Sequence, residues 1–378
     1  MENEFFVEVK RNFGFGCMRL PMGVGVNKRE FSKMVDYFID HGFNYFDTAH
    51  GYLAGLSEKA IRDCLVKRHD RSEYTLTNKL TGTYFKKQED IRPFFEKQLK
   101  ACGVDYFDFY LMHAQDKKIY EKFKECNAYE EALKLKEEGK IKHFGISFHD
   151  KAEVLEEILT DYPQIEVVQI QFNYLDYESP SVQSRKVYEV CEKYNKPVIV
   201  MEPVKGGSLV NLPDDAADVL DKLNASRRTN YSYASYAIRF AASFPKMFMV
   251  LSGMSDMEQM QDNVSYMEFF KPLDDEEMDA VKKVCEVFDN MQMIPCTSCH
   301  YCVLDNDCPK NIQIPELFAC YNDKKMFKNW NQNMYYNLMV NDSGKASDCI
   351  GCGKCEQVCP QHLPIRQLLK NVSREFHG

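Results

Sequence analysis

The chain has 378 residues, of which 44% are hydrophobic, and carries a formal net charge of −9 at pH 7. This length suits two or three domains, or one large barrel with an appendage, and the hydrophobic content is ample for a globular core. The negative charge argues against nucleic acid or an anionic membrane as the main partner. Because the first residues lack a signal-peptide pattern and no apolar run approaches about 18 residues, we expect a cytoplasmic protein.

Short apolar segments alternate with helical segments along the first 270 residues. The predicted strands are Phe13–Leu20, Phe43–Asp47, Tyr74–Lys79, Phe107–His113, Lys142–Ser147, Val167–Phe172, Pro197–Glu202 and Met247–Ser252. The predicted helices are Lys28–His41, Ser57–Lys67 with Ser57 as its N-cap, Glu89–Ala101, Ala128–Glu138, Lys151–Thr160, Ser181–Tyr194, Ser232–Ala242 and Glu258–Tyr266. Eight strand–helix units in about 250 residues are the usual size of a (β/α)8 barrel.

The domain organisation follows from these units. We expect a (β/α)8 TIM barrel over residues 1–270, a connecting helix over 271–290 and a small α-helical, ferredoxin-like domain over 291–378. The first twelve residues are expected to cap the bottom of the barrel, and residues 211–230 to form a lid. Gly14, Gly16, Gly23 and Gly25 do not form a Rossmann fingerprint, because no G-x-G-x-x-G opens a helix there.

The C-terminal region contains two similar cysteine runs about 50 residues apart, which indicates a duplicated unit. The runs are Cys296, Cys299, Cys302 and Cys308 followed by Pro309, and Cys349, Cys352, Cys355 and Cys359 followed by Pro360. The second matches the bacterial ferredoxin pattern, and the first differs by two extra residues before its last cysteine. The sequence therefore predicts two [4Fe-4S] clusters.

The ligands of each cluster are expected to come from both runs, because the Cys-Pro cysteine of a two-cluster ferredoxin ligates the other cluster. One cluster would use Cys359 with the first three cysteines of the first run. The other would use Cys308 with the first three cysteines of the second run. A pair of four-cysteine zinc sites or a disulfide framework remains the alternative.

Four polar residues lie at or near the carboxyl ends of consecutive predicted strands. Asp47 ends the second strand, Lys79 the third and His113 the fourth, while Tyr52 follows Asp47 in a loop. Catalytic groups of (β/α)8 barrels sit at this end of the strands. Each residue alone has a structural explanation, such as a turn or a satisfied core histidine, but together they predict an active site.

These segments resemble the aldo-keto reductase family. NYFDTAHGYLAGLSEKAIRDCL is similar to the second-strand signature, LTNKL to the lysine strand and FYLMH to the histidine strand. HFGISFH, VVQIQFNYLD, PVKGGSL and SGMSDMEQMQDNV are similar to the later strand ends. The likeness covers about residues 10–270, and with the cysteine region the whole chain resembles the ferredoxin-fused branch of the family.

The resemblance implies NADPH- or NADH-dependent reduction of a small-molecule carbonyl, or oxidation of an alcohol. Tyr52 would be the general acid, and Lys79 would lower the pKa of its phenol from about 10. Asp47 would hold Lys79, and His113 would orient the substrate carbonyl.

The resemblance also implies a set of cofactor contacts. Ser147 and Gln169 match the positions that hold the nicotinamide carboxamide, whereas Phe148 and Met201 stand where the family usually has Asn and Tyr. No Arg or Lys lies between residues 253 and 263 to pair with the 2′-phosphate of NADPH. The segment therefore disfavours NADPH, although another strand could supply the cation. The remaining matches, to the pyrophosphate and adenosine segments, are Pro203, Gly206, Leu209, Gly253, Ser255, Gln259 and Asn263.

The purpose of the clusters stays open at this stage. Carbonyl reduction by such a barrel needs no iron, and a nicotinamide moves two electrons where a cubane moves one. The clusters could link a ferredoxin-like donor or acceptor to a flavin or a substrate in the barrel. They could equally be structural or oxygen-sensing.

Overall fold

The structure, a computed structural model, describes residues 5–179, 182–291, 293–304, 308–327 and 331–377. The chain divides into two compact units. The first comprises Met1–Glu178, Gln183–Pro203 and Ala237–Leu273. The second comprises Ser179–Val182, Val204–Tyr236 and Asp274–Gly378. Within the described residues, no helix has the length and apolar character needed to cross a membrane.

The first unit is built on a closed barrel of eight parallel strands, which confirms the predicted fold. A separate two-stranded hairpin is formed by β2 (Met22–Gly23) and β3 (Gly25–Val26). Each barrel strand pairs with its neighbour in chain order, and the first pairs with the last and so closes the barrel. The barrel strands are β1 (Phe13–Gly16), β4 (Tyr45–Asp47), β5 (Thr75–Leu80), β6 (Phe107–Gln115), β7 (Ile141–Phe148), β8 (Val167–Gln171), β9 (Val198–Met201) and β10 (Met247–Ser252).

Nearly all strand residues are buried, because the sheet is covered by side chains inside the barrel and by helices outside it. The helices up to residue 267 follow the barrel strands, in places two in succession. They are α1 (Lys28–Asp40), α2 (Leu56–Ile61), α3 (Ile91–Cys102), α4 (Lys117–Glu125), α5 (Ala128–Glu137), α6 (Ala152–Asp161), α7 (Ser184–Lys193), α8 (Asp214–Arg227), α9 (Tyr233–Ala242) and α10 (Met257–Met267).

One local expectation is corrected. Ser57 is not an N-cap: the cap of α2 is Gly55, and Ser57 Oγ donates instead to the carbonyl of Cys17 at 2.8 Å. Helix α4 adds to the predicted helices, and Asp116 caps it by accepting from the Ile119 amide. Helix α8 lies within residues 211–230, whose role as a lid stays a prediction. The predicted start of α7 at Ser181 lies outside the described residues.

The bottom of the barrel is closed by residues from the N-terminal segment; residues 1–4 lie outside the described part. Phe6 and Val9 are buried in a cluster with interior residues of the strands, including Phe109 and Phe248. The Phe6 ring lies 5.0 Å from the Phe109 ring and 5.0 Å from the Phe248 ring, edge to face. The segment thus fills the barrel floor, as the sequence predicts.

The second unit is helical around the cysteine runs. Its buried core contains apolar residues from both repeats, among them Ile312, Phe318, Tyr336 and Leu369. Its helices after residue 274 are α11 (Asp275–Met291), α12 (Tyr301–Leu304), α13 (Ile314–Phe327), α14 (Asn331–Met339), α15 (Lys354–Gln357) and α16 (Ile365–His377).

We predict that Phe6→Ala lowers the free energy of unfolding of the barrel by roughly 3 kcal/mol, because it empties a buried aromatic site. Phe5→Ala is the matched control, since Phe5 is 37% exposed. Urea unfolding followed by circular dichroism measures both. Equal losses for the two variants would contradict the role of Phe6 in closing the barrel.

Candidate functional site

The mouth of the barrel brings together the residues that the sequence places at the strand ends. Asp47, Lys79 and His113 lie on β4, β5 and β6, which pair consecutively in the sheet. Tyr52 begins a short 3-10 turn after β4. Because the strands are parallel and adjacent, their carboxyl ends present these side chains on one rim.

The Lys79 ammonium is the centre of this group. Its Nζ donates to Asp47 Oδ1 at 2.6 Å, to the carbonyl of Thr48 at 2.9 Å and to the Tyr52 hydroxyl at 3.3 Å. The Lys79 side chain is fully buried, and that of Asp47 is 4% exposed. Three oxygens therefore satisfy the charge of Lys79. They come from the end of β4 and from the loop that leads from β4 to Tyr52.

Burial shifts the pKa of both partners in the direction that favours their neutral forms, and each partner opposes the shift of the other. Burial raises the pKa of Asp47, while Lys79 acts against this rise. Burial likewise lowers the pKa of Lys79, opposed by Asp47. Gln169 lies near enough to favour the carboxylate, yet Asp47 Oδ2 has no partner of hydrogen-bond geometry among the described residues. An oxygen acceptor is thus left for a ligand group.

The expected net lowering of the Tyr52 pKa is wrong for this structure. Burial raises the pKa of the phenol well above its ordinary value, and the nearby Asp47 raises it further. The main physical reason is burial of the phenol, and Asp47, 2.6 Å from Lys79, offsets part of the effect of that cation. Tyr52 therefore stays protonated at neutral pH, which is the form of a proton donor.

The backbone after Tyr52 is unusual. Leu53 and Ala54 have φ angles of 52° and 53°, in the left-handed region that favours glycine, and Gly55 follows at 82°. Such conformations cost of order 1–3 kcal/mol each for residues other than glycine and persist where the surroundings fix them. The turn places the Tyr52 hydroxyl beside Lys79.

His113 is buried, and its Nδ1 lies 2.7 Å from Thr81 Oγ1. Burial lowers the pKa of His113 well below its ordinary value, and Lys79 and His149 lower it further. The ring is therefore neutral at pH 7, and its centroid lies 6.1 Å from that of Tyr52. Sequence reasoning missed Thr81, although a polar residue directly after β5 meets the same strand-end rule.

A buried polar network supports Lys79 from below. Gln98 Nε2 donates to the carbonyl of Lys79 and to Asn78 Oδ1, each at 3.0 Å. Asn78 Nδ2 donates to Glu58 Oε1 at 2.9 Å, and Tyr110 donates to Gln98 Oε1 at 2.6 Å. These side chains hold the end of β5 in one position. They were not predicted, because their role depends on tertiary contacts.

Of the residues expected to hold the nicotinamide, Ser147 and Gln169 are buried side by side on paired strands. Ser147 Oγ has no hydrogen-bond partner among the described residues. Met201 ends β9, half-buried, and Pro203 follows in the next turn. A buried hydroxyl without a partner costs free energy unless a ligand satisfies it, so this position fits a carboxamide.

The residues expected near adenosine are engaged within the protein. Asp256 caps α10, and Gln259 donates to it from both its amide and its side chain. Asn263 is buried and bonds Ser252 Oγ at 3.0 Å. Ser255 Oγ donates to the carbonyl of Arg19 at 3.1 Å. Their cofactor contacts stay predictions.

Arg19 is a cation that sequence reasoning missed. It follows β1, its carbonyl accepts from Ser255, and its side chain packs on Gly253. Arg19 Nη2 lies 3.6 Å from Glu202 Oε1, and both charges act on the Tyr52 phenol. The residue therefore lies near both the Gly253–Ser255 segment and Tyr52, and it was missed because the predicted strand Phe13–Leu20 included it, whereas β1 ends at Gly16.

Gly206 and Leu209 belong to the second unit. Gly206 has a φ of 64°, and a Cβ there would lie 2.4 Å from the carbonyl oxygen of Thr297. Only glycine fits this approach. The turn after β9 thus packs directly on the residue next to Cys296, while Leu209 is fully buried.

Two cavities in the second unit are lined by the cysteines as cross-ligation predicts. The first is lined by Cys296, Cys299 and Cys302 of one run and Cys359 of the other. The second is lined by Cys308, Cys349, Cys352 and Cys355. Each contains four thiols and mostly apolar walls, which fits a [4Fe-4S] cluster.

The sequence left zinc sites and a disulfide framework as alternatives for these cysteines. No disulfide joins any of the fifteen cysteines, all of which are described. Over the described ranges, no three His, Cys, Asp or Glu side chains gather closely enough for one metal ion. Zinc requires four ligands at about 2.3 Å from one centre. Thiols arranged around a cavity suit a larger, multi-iron group.

The crossing of the two repeats is fixed by a short parallel bridge between Ile312 and Gly344. The Gly344 amide donates to the carbonyl of Asn311 at 3.0 Å. A Cβ on Gly344 would lie 2.0 Å from the carbonyl oxygen of Lys310. This approach holds the segment after Cys308 against the second cysteine run.

Comparison with known proteins agrees with this architecture. The aldo/keto reductase family model matches residues 12–286, and a 4Fe-4S dicluster domain model matches residues 295–363. The chain belongs to the aldo/keto reductase family and is an oxidoreductase that carries a C-terminal dicluster domain.

Among similar proteins, an uncharacterized oxidoreductase, YqkF of Bacillus subtilis, is 25% identical over 66% of this chain and 85% of its own length. Several other curated relatives are matched over less than half of their length. The aldo-keto reductase AKR11C1 of Bacillus halodurans, in its holo form, is 25% identical with a TM-score of 0.56, over 73% of this chain and 92% of its own. An aldo-keto reductase of Klebsiella pneumoniae in complex with NADPH shares the fold, with 18% identity, a TM-score of 0.57, and coverage of 72% and 90%.

We predict that Lys79→Met lowers the free energy of unfolding by about 3–5 kcal/mol, because it leaves the buried carboxylate of Asp47 unpaired. The double variant Asp47→Asn with Lys79→Met recovers most of this loss. Lys28→Met, which breaks an exposed pair with Asp63, is the control and costs about 1 kcal/mol or less. A Lys79→Met loss no larger than the control would refute the buried pair.

We predict that Gly344→Ala removes about half of the bound iron, because displacing the Cys308 segment removes one ligand of the second cavity only. Gly23→Ala is the control, since a Cβ there meets nothing within 4 Å. Iron and sulfide analysis after anaerobic purification measures both. Full iron content in Gly344→Ala would show that the close approach does not position Cys308.

Proposed function

We propose that the barrel reduces the carbonyl group of a small molecule, or oxidises the corresponding alcohol, with a nicotinamide cofactor and with Tyr52 as the general acid or base. The observation that carries this proposal is the placement of Lys79 Nζ, which contacts Asp47 at 2.6 Å and the Tyr52 hydroxyl at 3.3 Å on one rim of the barrel. A structural role alone does not require a phenol beside a buried ammonium.

In the reduction direction, Tyr52 donates its proton to the carbonyl oxygen as negative charge develops there. Lys79 donates to the phenol oxygen and so stabilises the phenolate that remains. His113 is neutral, and when Nδ1 accepts from Thr81, Nε2 carries the proton and donates to the same carbonyl oxygen. General acid catalysis of this kind contributes roughly 10²–10⁴-fold.

The cofactor that fits is NADPH or NADH, which supplies a hydride when bound. Ser147 Oγ, buried without a partner among the described residues, would bond the carboxamide, with Gln169 beside it. Arg19 would provide the positive charge that residues 253–263 lack, by exchanging its contact with Glu202 for a phosphate oxygen. The NADPH complex of the Klebsiella pneumoniae structure supports the phosphorylated form.

The dicluster domain would hold two [4Fe-4S] clusters, one in each cavity. Cys296, Cys299, Cys302 and Cys359 would bind the first, and Cys308, Cys349, Cys352 and Cys355 the second. Such clusters supply one-electron centres when bound. We propose exchange of electrons with a separate carrier protein rather than a purely structural role, because Cys352 is exposed at the surface.

We predict that Tyr52→Phe lowers kcat for carbonyl reduction at least a hundredfold while the Kd for NADPH changes less than about twofold, because the phenol acts on the carbonyl and not on the cofactor. Anaerobic assays with 4-nitrobenzaldehyde and fluorescence titration with NADPH measure the two quantities. Tyr37→Phe, on α1, is the matched control and leaves both unchanged.

Two results would contradict this assignment. Retention of wild-type kcat in Tyr52→Phe would exclude the phenol as the acid. Parallel loss of turnover and NADPH binding would instead make Tyr52 a structural residue.

A further inference from the structure

The lining of the second cysteine cavity reaches the surface. Of the eight motif cysteines, all described, Cys352 alone is exposed. Ile350, two residues before it, is 61% exposed, although it lines the same cavity. Another molecule can therefore approach this cavity at Ile350 and Cys352.

Lysines surround this point. Lys310 lines the cavity with Ile350, and the Gly344–Asn311 hydrogen bond places Lys345 next to the Lys310 segment. Lys354 follows Gly353, which also lines the cavity. All three lysines are exposed, and none forms an ion pair with another described residue. We call Lys310, Lys345, Ile350, Cys352 and Lys354 the Ile350 surface.

Exposed lysines are concentrated at this point of an acidic chain. Around the cavity, residues 308–314 and 344–366 carry four cations and two acids. Glu356 and Arg366 pair with each other, with Oε2 2.9 Å from Nε, which leaves three lysines and one acid, Asp348. The chain as a whole has a net charge of −9. A bound cluster with its four thiolates adds negative charge beneath the surface, so the attraction of a negative partner rests on the three exposed lysines at its rim.

We infer that the Ile350 surface docks a small acidic iron–sulfur protein of the ferredoxin type. An apolar centre with a charged rim is the usual arrangement of a transient protein interface. A single exposed isoleucine is too small an apolar area for membrane insertion, and three lysines on a chain of net negative charge do not form a nucleic-acid site. This inference rests on the cluster assignment proposed above.

The charges of this surface predict how the complex forms. Complementary rim charges accelerate association and are screened by salt within about 8–10 Å at 0.1–0.15 M. Binding should therefore weaken steeply as ionic strength rises. The apolar contact of Ile350 should contribute a part that salt does not remove.

The test measures binding of a purified acidic two-[4Fe-4S] bacterial ferredoxin to the anaerobically purified holoprotein by isothermal titration calorimetry at low and at physiological salt. The triple variant Lys310→Glu, Lys345→Glu and Lys354→Glu should weaken binding at low salt at least about tenfold and remove the weakening of binding by salt. Ile350→Ser should weaken binding at both salt concentrations. The matched control is Lys97→Glu, Lys100→Glu and Lys118→Glu, which reverses three exposed lysines on α3 and α4 and should change affinity little.

Several outcomes would overturn the inference. One such outcome is a triple variant with the affinity and salt dependence of the wild type. Another is a control variant that loses as much affinity as the triple variant. If the surface covers a second copy of this chain, sedimentation will show a wild-type dimer that the triple variant dissociates, and ferredoxin will not compete. Iron and sulfide analysis of each variant separates these results from a failure of the cluster assignment, which would appear as missing iron in the wild type.

Discussion

The barrel mouth depends on one buried ammonium. Lys79 has no exposure to water, so its charge is tolerable only because Asp47, the Thr48 carbonyl and the Tyr52 hydroxyl replace the hydration that it lost. Those three partners come from the end of β4 and the loop that follows it. The need to satisfy the charge of Lys79 therefore also fixes the position of Tyr52. The left-handed backbone conformation of Leu53 and Ala54 follows from that position.

The second unit depends on a comparable constraint, which is that its two cysteine runs each contribute to both cavities. Four thiols must surround each cavity, and each cysteine run supplies three to one cavity and its last cysteine to the other. Gly344 can approach the Lys310 carbonyl because it has no side chain. Gly206 approaches Thr297 for the same reason, so the turn after β9 packs beside Cys296. Glycines thus allow backbone segments to pack closely against the two cysteine runs.

The sequence predicted the parts that follow from periodicity and from fixed spacing. The alternation of apolar strands and helices gave the barrel, and the rule for strand ends located Asp47, Lys79 and His113. The cysteine spacing grouped the thiols that line each cavity. These signals are local or repetitive, so a single sequence contains them.

The parts that failed depend on tertiary contacts. Ser57 has the composition of an N-cap, but its hydroxyl is drawn to the Cys17 carbonyl. The rise in the Tyr52 pKa could not be inferred, because it depends on the burial of the phenol and on the position of Asp47, which only the fold determines. Thr81 was within reach, since it follows a barrel strand, whereas Arg19 was hidden inside the predicted strand Phe13–Leu20, which in the structure ends at Gly16.

The central question is whether the barrel itself transfers a hydride in a chain that also carries a dicluster domain. Reduction of 4-nitrobenzaldehyde by the anaerobic holoprotein with C4-deuterated NADPH tests this most directly, with the product alcohol analysed by mass spectrometry and NMR. We expect one deuterium on the former carbonyl carbon, on a single face, because Tyr52 supplies only the oxygen-bound proton. An alcohol whose new carbon-bound hydrogen comes from solvent would contradict hydride transfer at the Tyr52 site.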